Sequence, residues 1–206
     1  MWQMIRDGGP LMYPIILCSV IALAVTAERM WHLFRAGIDT KKFMDAITGS
    51  IKRNKIMQAV ELCDQTPGPV AHIMKAGIMR HDRSRMEIKE AIEDAGLHEV
   101  ARLEKNLNIL ATVAHICPLL GLLGTVTGMV EAFQVIKDKA TIASPVNPGD
   151  LAGGISSALI TTATGLAIAI VFYVAYNYLV GRVENIILEM EQSATDLINT
   201  ISQKSY

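Results

Sequence analysis

Charge is scarce in this sequence. Asp, Glu, Lys and Arg make up 19% of its 206 residues, against about a quarter in soluble domains. The formal net charge is -1, so no nucleic-acid patch is implied. Cysteine is scarce too. Cys18, Cys63 and Cys117 stand far apart with no CxxC, which argues against a disulfide framework or a thiolate zinc site. Cys18 and Cys117 lie in apolar runs and read as small core residues. The histidines, His32, His72, His81, His98 and His115, make no HExxH or paired-ligand spacing. Ser-His-Asp logic, a Walker A loop and a GxGxxG in its proper context are missing as well. The chain is therefore not read as an enzyme, and no cofactor or metal is expected.

Apolar sequence is abundant instead, at 51% of residues. Crossing a hydrocarbon core takes about 20 apolar residues as helix, and three segments qualify. The first runs over 11–34 and carries no charge before Glu28 and Arg29. The second, 106–136, is uncharged from Asn106 through Val130. The third, 151–181, is uncharged throughout. A cleavable signal peptide is not the reading for the first segment, because Arg6 is offset by Asp7 and no small-x-small site precedes a secreted domain. Lys and Arg set the orientation. Thirteen fall between Arg35 and Lys105, whereas the 137–150 loop has Lys137 and Lys139 and the 1–10 segment has Arg6. This predicts a periplasmic 1–10 segment and 137–150 loop, a cytoplasmic 35–105 segment and a cytoplasmic 182–206 tail.

The cytoplasmic segment reads as helical. Asp39 and Thr40 are N-cap candidates. Ile56, Ala59, Val60 and Cys63 share a helical face. Pro67-Gly68-Pro69 breaks the chain, and Ser84 with Glu87 forms a capping-box signal. Beyond it, apolar spacing predicts one helix from about Arg85 to about Lys137, about 75 Å long. Pro145, Pro148 and Gly149 form the outer loop, with Asn147 or Asp150 near the start of the third helix. That helix is expected to continue past Gly181 as a stem, because Val183, Ile186, Ile187, Met190, Leu197, Ile198 and Ile201 keep a spacing of three or four. Its apolar stripe needs a covering surface, and other copies of the chain are the simplest source.

Polar groups inside a membrane usually face a bundle interior or a wet path. Gly121, Gly124 and Gly128 in the second span, with Gly165 in the third, allow close helix approach. Thr125, Gly128 and Glu131 lie three apart, roughly on one face. Ser157, Thr161 and Thr164 are spaced i, i+4, i+7, and Thr162 adjoins them. Such faces suit a narrow polar pore, and they equally suit a packing seam whose hydroxyls bond back to the i−4 carbonyl. Glu131 suits either titration or snorkelling to water, and His115 either a relay or a bonded packing residue.

The stretch Gly121-Leu-Leu-Gly-Thr-Val-Thr-Gly-Met-Val-Glu-Ala-Phe-Gln134, followed by Gly153-Gly-Ile-Ser-Ser-Ala-Leu-Ile-Thr-Thr-Ala-Thr-Gly-Leu166, resembles the ExbB/TolQ/MotA proton-channel family, and ExbB and TolQ most. The resemblance implies an all-α, three-span subunit with long cytoplasmic helical extensions, assembling as a homopentamer in the bacterial inner membrane. It further implies two copies of an ExbD/TolR-like single-span partner inside the pentamer, a TonB- or TolA-like force transmitter, and no nucleic acid. Carried over by position, the pore threonines fall on Thr125 and Thr162, with Ser157, Thr161 and Glu131 along the same path. Ser157 stands where many ExbB sequences have glutamate, and Val171 where they tend to have proline. The partner's aspartate would then titrate without that glutamate, and proton and sodium both stay open as coupling ion. TonB-linked uptake, Tol-type envelope maintenance, a motility stator and a passive scaffold also remain open.

Overall fold

The computed structural model describes residues 8–141 and 148–204, so the expectations for most of the 1–10 segment, Pro145 and Asn147 lie outside the described residues. The described residues are helical, without strands: α1 (Met12–Ala36), α2 (Thr40–Lys52), α3 (Ile56–Gln65), α4 (Pro69–Ile78), α5 (Arg85–Glu104), α6 (Leu107–Thr141) and α7 (Pro148–Lys204). They divide into two compact units. One takes the chain up to Ala27 and Asn106–Asn177. The other takes Glu28–Lys105 and the chain from Tyr178 onward.

The first unit contains the apolar stretches of α1, α6 and α7, which are three helices long and apolar enough to cross a membrane. Their exposed faces are apolar: Tyr13, Leu17, Val20 and Leu23 on α1, Leu119, Leu122, Val126 and Phe133 on α6, and Leu159, Ile170 and Val174 on α7. Patches this large are untenable in water but suit hydrocarbon or another chain. The buried faces follow helical periodicity. Leu107, Leu110, Ala114 and Cys117 on α6 are continued by the buried Gly121, Gly124 and Gly128, and Ala158, Thr161, Gly165, Ala169 and Phe172 answer them from α7. Pro118 is accommodated inside α6 without ending it.

The second unit is built by local rules. Asp39 caps α2 by accepting the Lys42 N–H at 3.2 Å. Thr66 ends α3 in extended backbone, as the residue before a proline should. Gly68 takes φ +125, and a Cβ there would lie 3.0 Å from the Ala36 carbonyl oxygen. Pro69 opens α4 at the first helical position. Ser84 and Glu87 form both halves of the capping box on α5.

Two expectations are corrected here. The single helix from Arg85 to Lys137 is two helices. Lys105 leaves helical geometry at ψ 136 and Asn106 adopts φ 63, a left-handed conformation that asparagine tolerates better than most side chains. Most of the stripe on the stem of α7 is not left for another copy to cover: Val183, Ile186, Met190, Leu197 and Ile201 are buried by this chain alone, as is Leu179 before them, while Ile187 and Ile198 stay half-buried. Gly77 of α4 fits there because a Cβ would meet Ile92 at 2.7 Å and Leu197 at 2.9 Å. The Thr40 hydroxyl donates to Glu189 at 2.6 Å and Arg85 donates to Asn199 at 3.2 Å, so polar bonds flank the buried stripe.

Candidate functional site

The small residues of α6 and α7 form a seam of backbone contact inside the first unit. A Cβ on Gly121 would lie 3.0 Å from Thr162 Cα, one on Gly124 2.7 Å from Thr161 Cγ2, and one on Gly165 2.5 Å from the Cys117 carbonyl oxygen. Gly128 and Gly154 face each other, since a Cβ on Gly128 would sit 2.8 Å from the Gly154 oxygen. The seam therefore repeats as 121, 124, 128 along α6. Gly154 and Cys117 belong to it although the sequence reading left them out of the seam. Thr125 is half-buried, one step round from the glycines, and Glu131 is exposed while Gly128 is buried. The i, i+3, i+6 set of Thr125, Gly128 and Glu131 thus does not form one face; six residues already turn the helix well past a common direction.

The hydroxyls fall into two groups. Thr125 donates to the Leu122 carbonyl at 2.6 Å, and Thr164 to Ile160 at 2.8 Å. These are the back-bonds common to Ser and Thr in apolar helices. His115 likewise lies 2.6 Å from the Ala111 carbonyl through Nδ1. The second group reaches beyond its own helix. Thr162 donates across the seam to the Gly121 carbonyl at 2.7 Å. Gly121 is one turn before Thr125, so Thr162 and Thr125 stand on adjoining turns, both half-buried. Each uses its proton on a carbonyl and keeps its oxygen lone pairs as acceptors.

Thr161 is enclosed, at 1% exposure. Its hydroxyl has the Gly8 carbonyl oxygen at 2.6 Å and that of Ser157 at 2.8 Å. Gly9 lies against the same face, for a Cβ on it would be 3.3 Å from Ser157 Oγ. The segment ahead of α1 thus covers Ser157 and Thr161 with the chain's own atoms. This contact spans 153 residues of sequence and has no local signal. Among the described residues no group of His, Cys, Asp and Glu is arranged to hold a metal ion.

Comparison with known proteins fits this arrangement. A model of the MotA/TolQ/ExbB proton channel family matches residues 65–192, more than half of the chain and inclusive of the whole seam. The chain is 29% identical to a putative biopolymer transport protein ExbB homolog of Methanothermobacter thermautotrophicus, over 92% of this chain and 66% of the relative's length. It is 30% identical to a putative biopolymer transport protein ExbB-like 1 of Synechocystis, over 84% of this chain and 68% of the relative. It is 29% identical to the Tol-Pal system protein TolQ of Pseudomonas aeruginosa, over 91% and 86%. Three membrane-length apolar helices, a glycine–threonine seam between the last two and a match running through both place the chain among membrane-spanning channel subunits: it belongs to the MotA/TolQ/ExbB proton channel family.

Proposed function

We propose that this chain is the channel and scaffold subunit of an inner-membrane motor driven by the proton-motive force. The observation that carries the reading is the bond from Thr162 to the Gly121 carbonyl. It holds Thr162 against Gly121, one turn before Thr125, on a seam with no room for a Cβ at Gly121 or Gly124. A partner's carboxyl group brought to these hydroxyls, when protonated, would donate to their free lone pairs. On losing its proton it would need donors, and either hydroxyl can turn from its carbonyl to supply one. Ser157 and Glu131 both lie beyond this pair toward the 137–150 loop, while Thr161, enclosed by Gly8, holds the helices together. The single Glu-to-Ser difference at 157 leaves the partner's carboxylate as the titrating group.

In this reading five copies of the chain surround two copies of an ExbD/TolR-like single-span protein and drive a TonB-like protein that energises outer-membrane transport. The N-terminus is periplasmic, and residues 35–105 and the tail are cytoplasmic. A Tol-type role in envelope maintenance, through a TolA-like transmitter, is the second reading, favoured by the similarity to TolQ over most of the chain. The experiment is co-expression with the single-span partner, native mass spectrometry of the extracted complex, and proton flux in vesicles. Five copies with two of the partner, and flux that falls at least tenfold in Thr162→Val but survives in Thr162→Ser, are expected. A complex that excludes the partner, or unchanged flux in Thr162→Val, refutes the assignment.

A further inference from the structure

We propose that the second unit binds a phosphate-bearing anion in the cleft between α1, the α3–α4 turn and the end of α5. The cleft has a volume of about 480 Å³ and is walled by residues of Glu28–Ala36, Pro67–Pro69, His72 and Glu99–Lys105. Its charge is unbalanced. Arg29, Arg35, Arg102 and Lys105 face two carboxylates, Glu28 and Glu99. Those carboxylates are already engaged. Glu99 lies 2.9 Å from Arg102 and 3.1 Å from His72, and Glu28 lies 2.8 Å from Arg29. Arg35 and Lys105 enter no ion pair among the described residues.

Arg29 is the anchor. It is 5% exposed, it donates to Glu28 at 2.8 Å and to the Arg102 carbonyl at 3.3 Å, and its Nε–H meets no acceptor. A guanidinium presents its donors as a fork that fits two oxygens of one phosphate, and Arg29 lines the cleft with its Nε–H still unused. The same wall holds the start of α4 at Gly68 and Pro69, so the positive end of that helix's dipole lies at the cleft. Buried cation, rim cations and helix start converge on one volume, the arrangement that selects a multiply oxygenated anion over a single carboxylate.

The chemistry is shared by an anionic phospholipid headgroup and a free phosphate. Trp31 and Phe34, at 72% and 62% exposure, lie on α1 beside the cleft residues His32 and Arg35, and aromatic side chains gather at the membrane–water boundary. Basic pockets at that level hold lipid headgroups. The assignment does not depend on the pore reading.

The test uses the full chain, stripped of lipid in neutral detergent and titrated separately with phosphatidylglycerol, phosphatidylcholine and inorganic phosphate, with bound mass read by native mass spectrometry. Saturable phosphatidylglycerol binding that inorganic phosphate does not displace supports the site with lipid as its source. Displacement by inorganic phosphate supports it with a soluble anion. Arg35→Gln/Lys105→Gln, both at exposed positions, should bind at least tenfold more weakly with an unchanged circular dichroism spectrum. Arg29→Lys keeps the charge, loses the fork and should also weaken binding. Equal binding of phosphatidylcholine, no binding of any anion, or unchanged affinity in the double variant overturns the proposal.

Discussion

At the scale of the residue, neighbouring glycines of similar sequence context carry opposite constraints. Gly165 has the Cys117 carbonyl oxygen 2.5 Å from where a Cβ would stand, and a backbone oxygen on a packed helix cannot swing aside. Gly165→Ala should cost about 1–3 kcal/mol as overpacking. Gly153 has nothing within 4 Å, so Gly153→Ala should be neutral, or stabilising by up to about 1 kcal/mol through helix propensity. Thermal unfolding of both variants in detergent checks the contrast. That the α6 glycines serve close approach was legible from their spacing. Which threonine lies inside was not, because adjacent Thr161 and Thr162 differ only in what other helices and the segment around Gly8 bring against them. Cys63, outside the membrane-spanning segments, is 2% exposed, and burial, with Asp64 adding to it, pushes its thiol up to about 11 from 9.0. The raised value means that the unfolded chain releases this proton first. Stability from this group is therefore whole below pH 9 and is lost as pH climbs toward 11. At pH 8 the thiolate is about a hundredfold rarer than for an unperturbed thiol, and alkylation of Cys63 in the folded protein should be slower by about that factor.

At the scale of the element, local signals were readable and a masked break was not. The capping box at Ser84 and the proline-flanked turn at Gly68 are decided within four residues, and both form as their sequence predicts. The break between α5 and α6 is hidden because Leu103, Leu107 and Leu110 are all buried at steps of four and three. Hydrophobic periodicity runs through the junction as though the helix did. Asn106, at φ 63, is the only local hint, and one asparagine is weak evidence on its own. Asn106→Val should destabilise by about 1–2 kcal/mol, the cost of forcing a branched side chain into left-handed geometry. Asn106→Gly, which carries no left-handed penalty, should cost less than Asn106→Val. Chemical denaturation of the purified protein in detergent measures both.

At the scale of the whole molecule, the three spans were legible because membrane insertion imposes long uncharged runs that few soluble folds share, and the family was legible from the paired motifs at 121–134 and 153–166. The cover over the α7 stem was not: a stripe announces that something covers it, and only the fold of residues 28–105 shows that the chain itself covers most of it. In the proposed topology, which rests on the distribution of Lys and Arg, that segment is cytoplasmic. Asp82→Cys, at an exposed turn position, should resist a membrane-impermeant maleimide in intact spheroplasts and react after permeabilisation, above the labelling of the unsubstituted chain. Reaction in intact spheroplasts would reverse the topology.

The buried positions of α7 run from Ala158 to Ile201 in steps of three, four or seven, with no reset along the way. This governs how the chain tolerates changes in length. Adding a single residue in the middle of that run would turn everything beyond it by about 100°, presenting charged side chains such as Arg182 or Glu189 where Val183 and Met190 now pack. Adding seven would turn it by only about 20°. Viable length variants of this helix should therefore cluster at whole heptads, a pattern that a library of insertions selected for function would reveal.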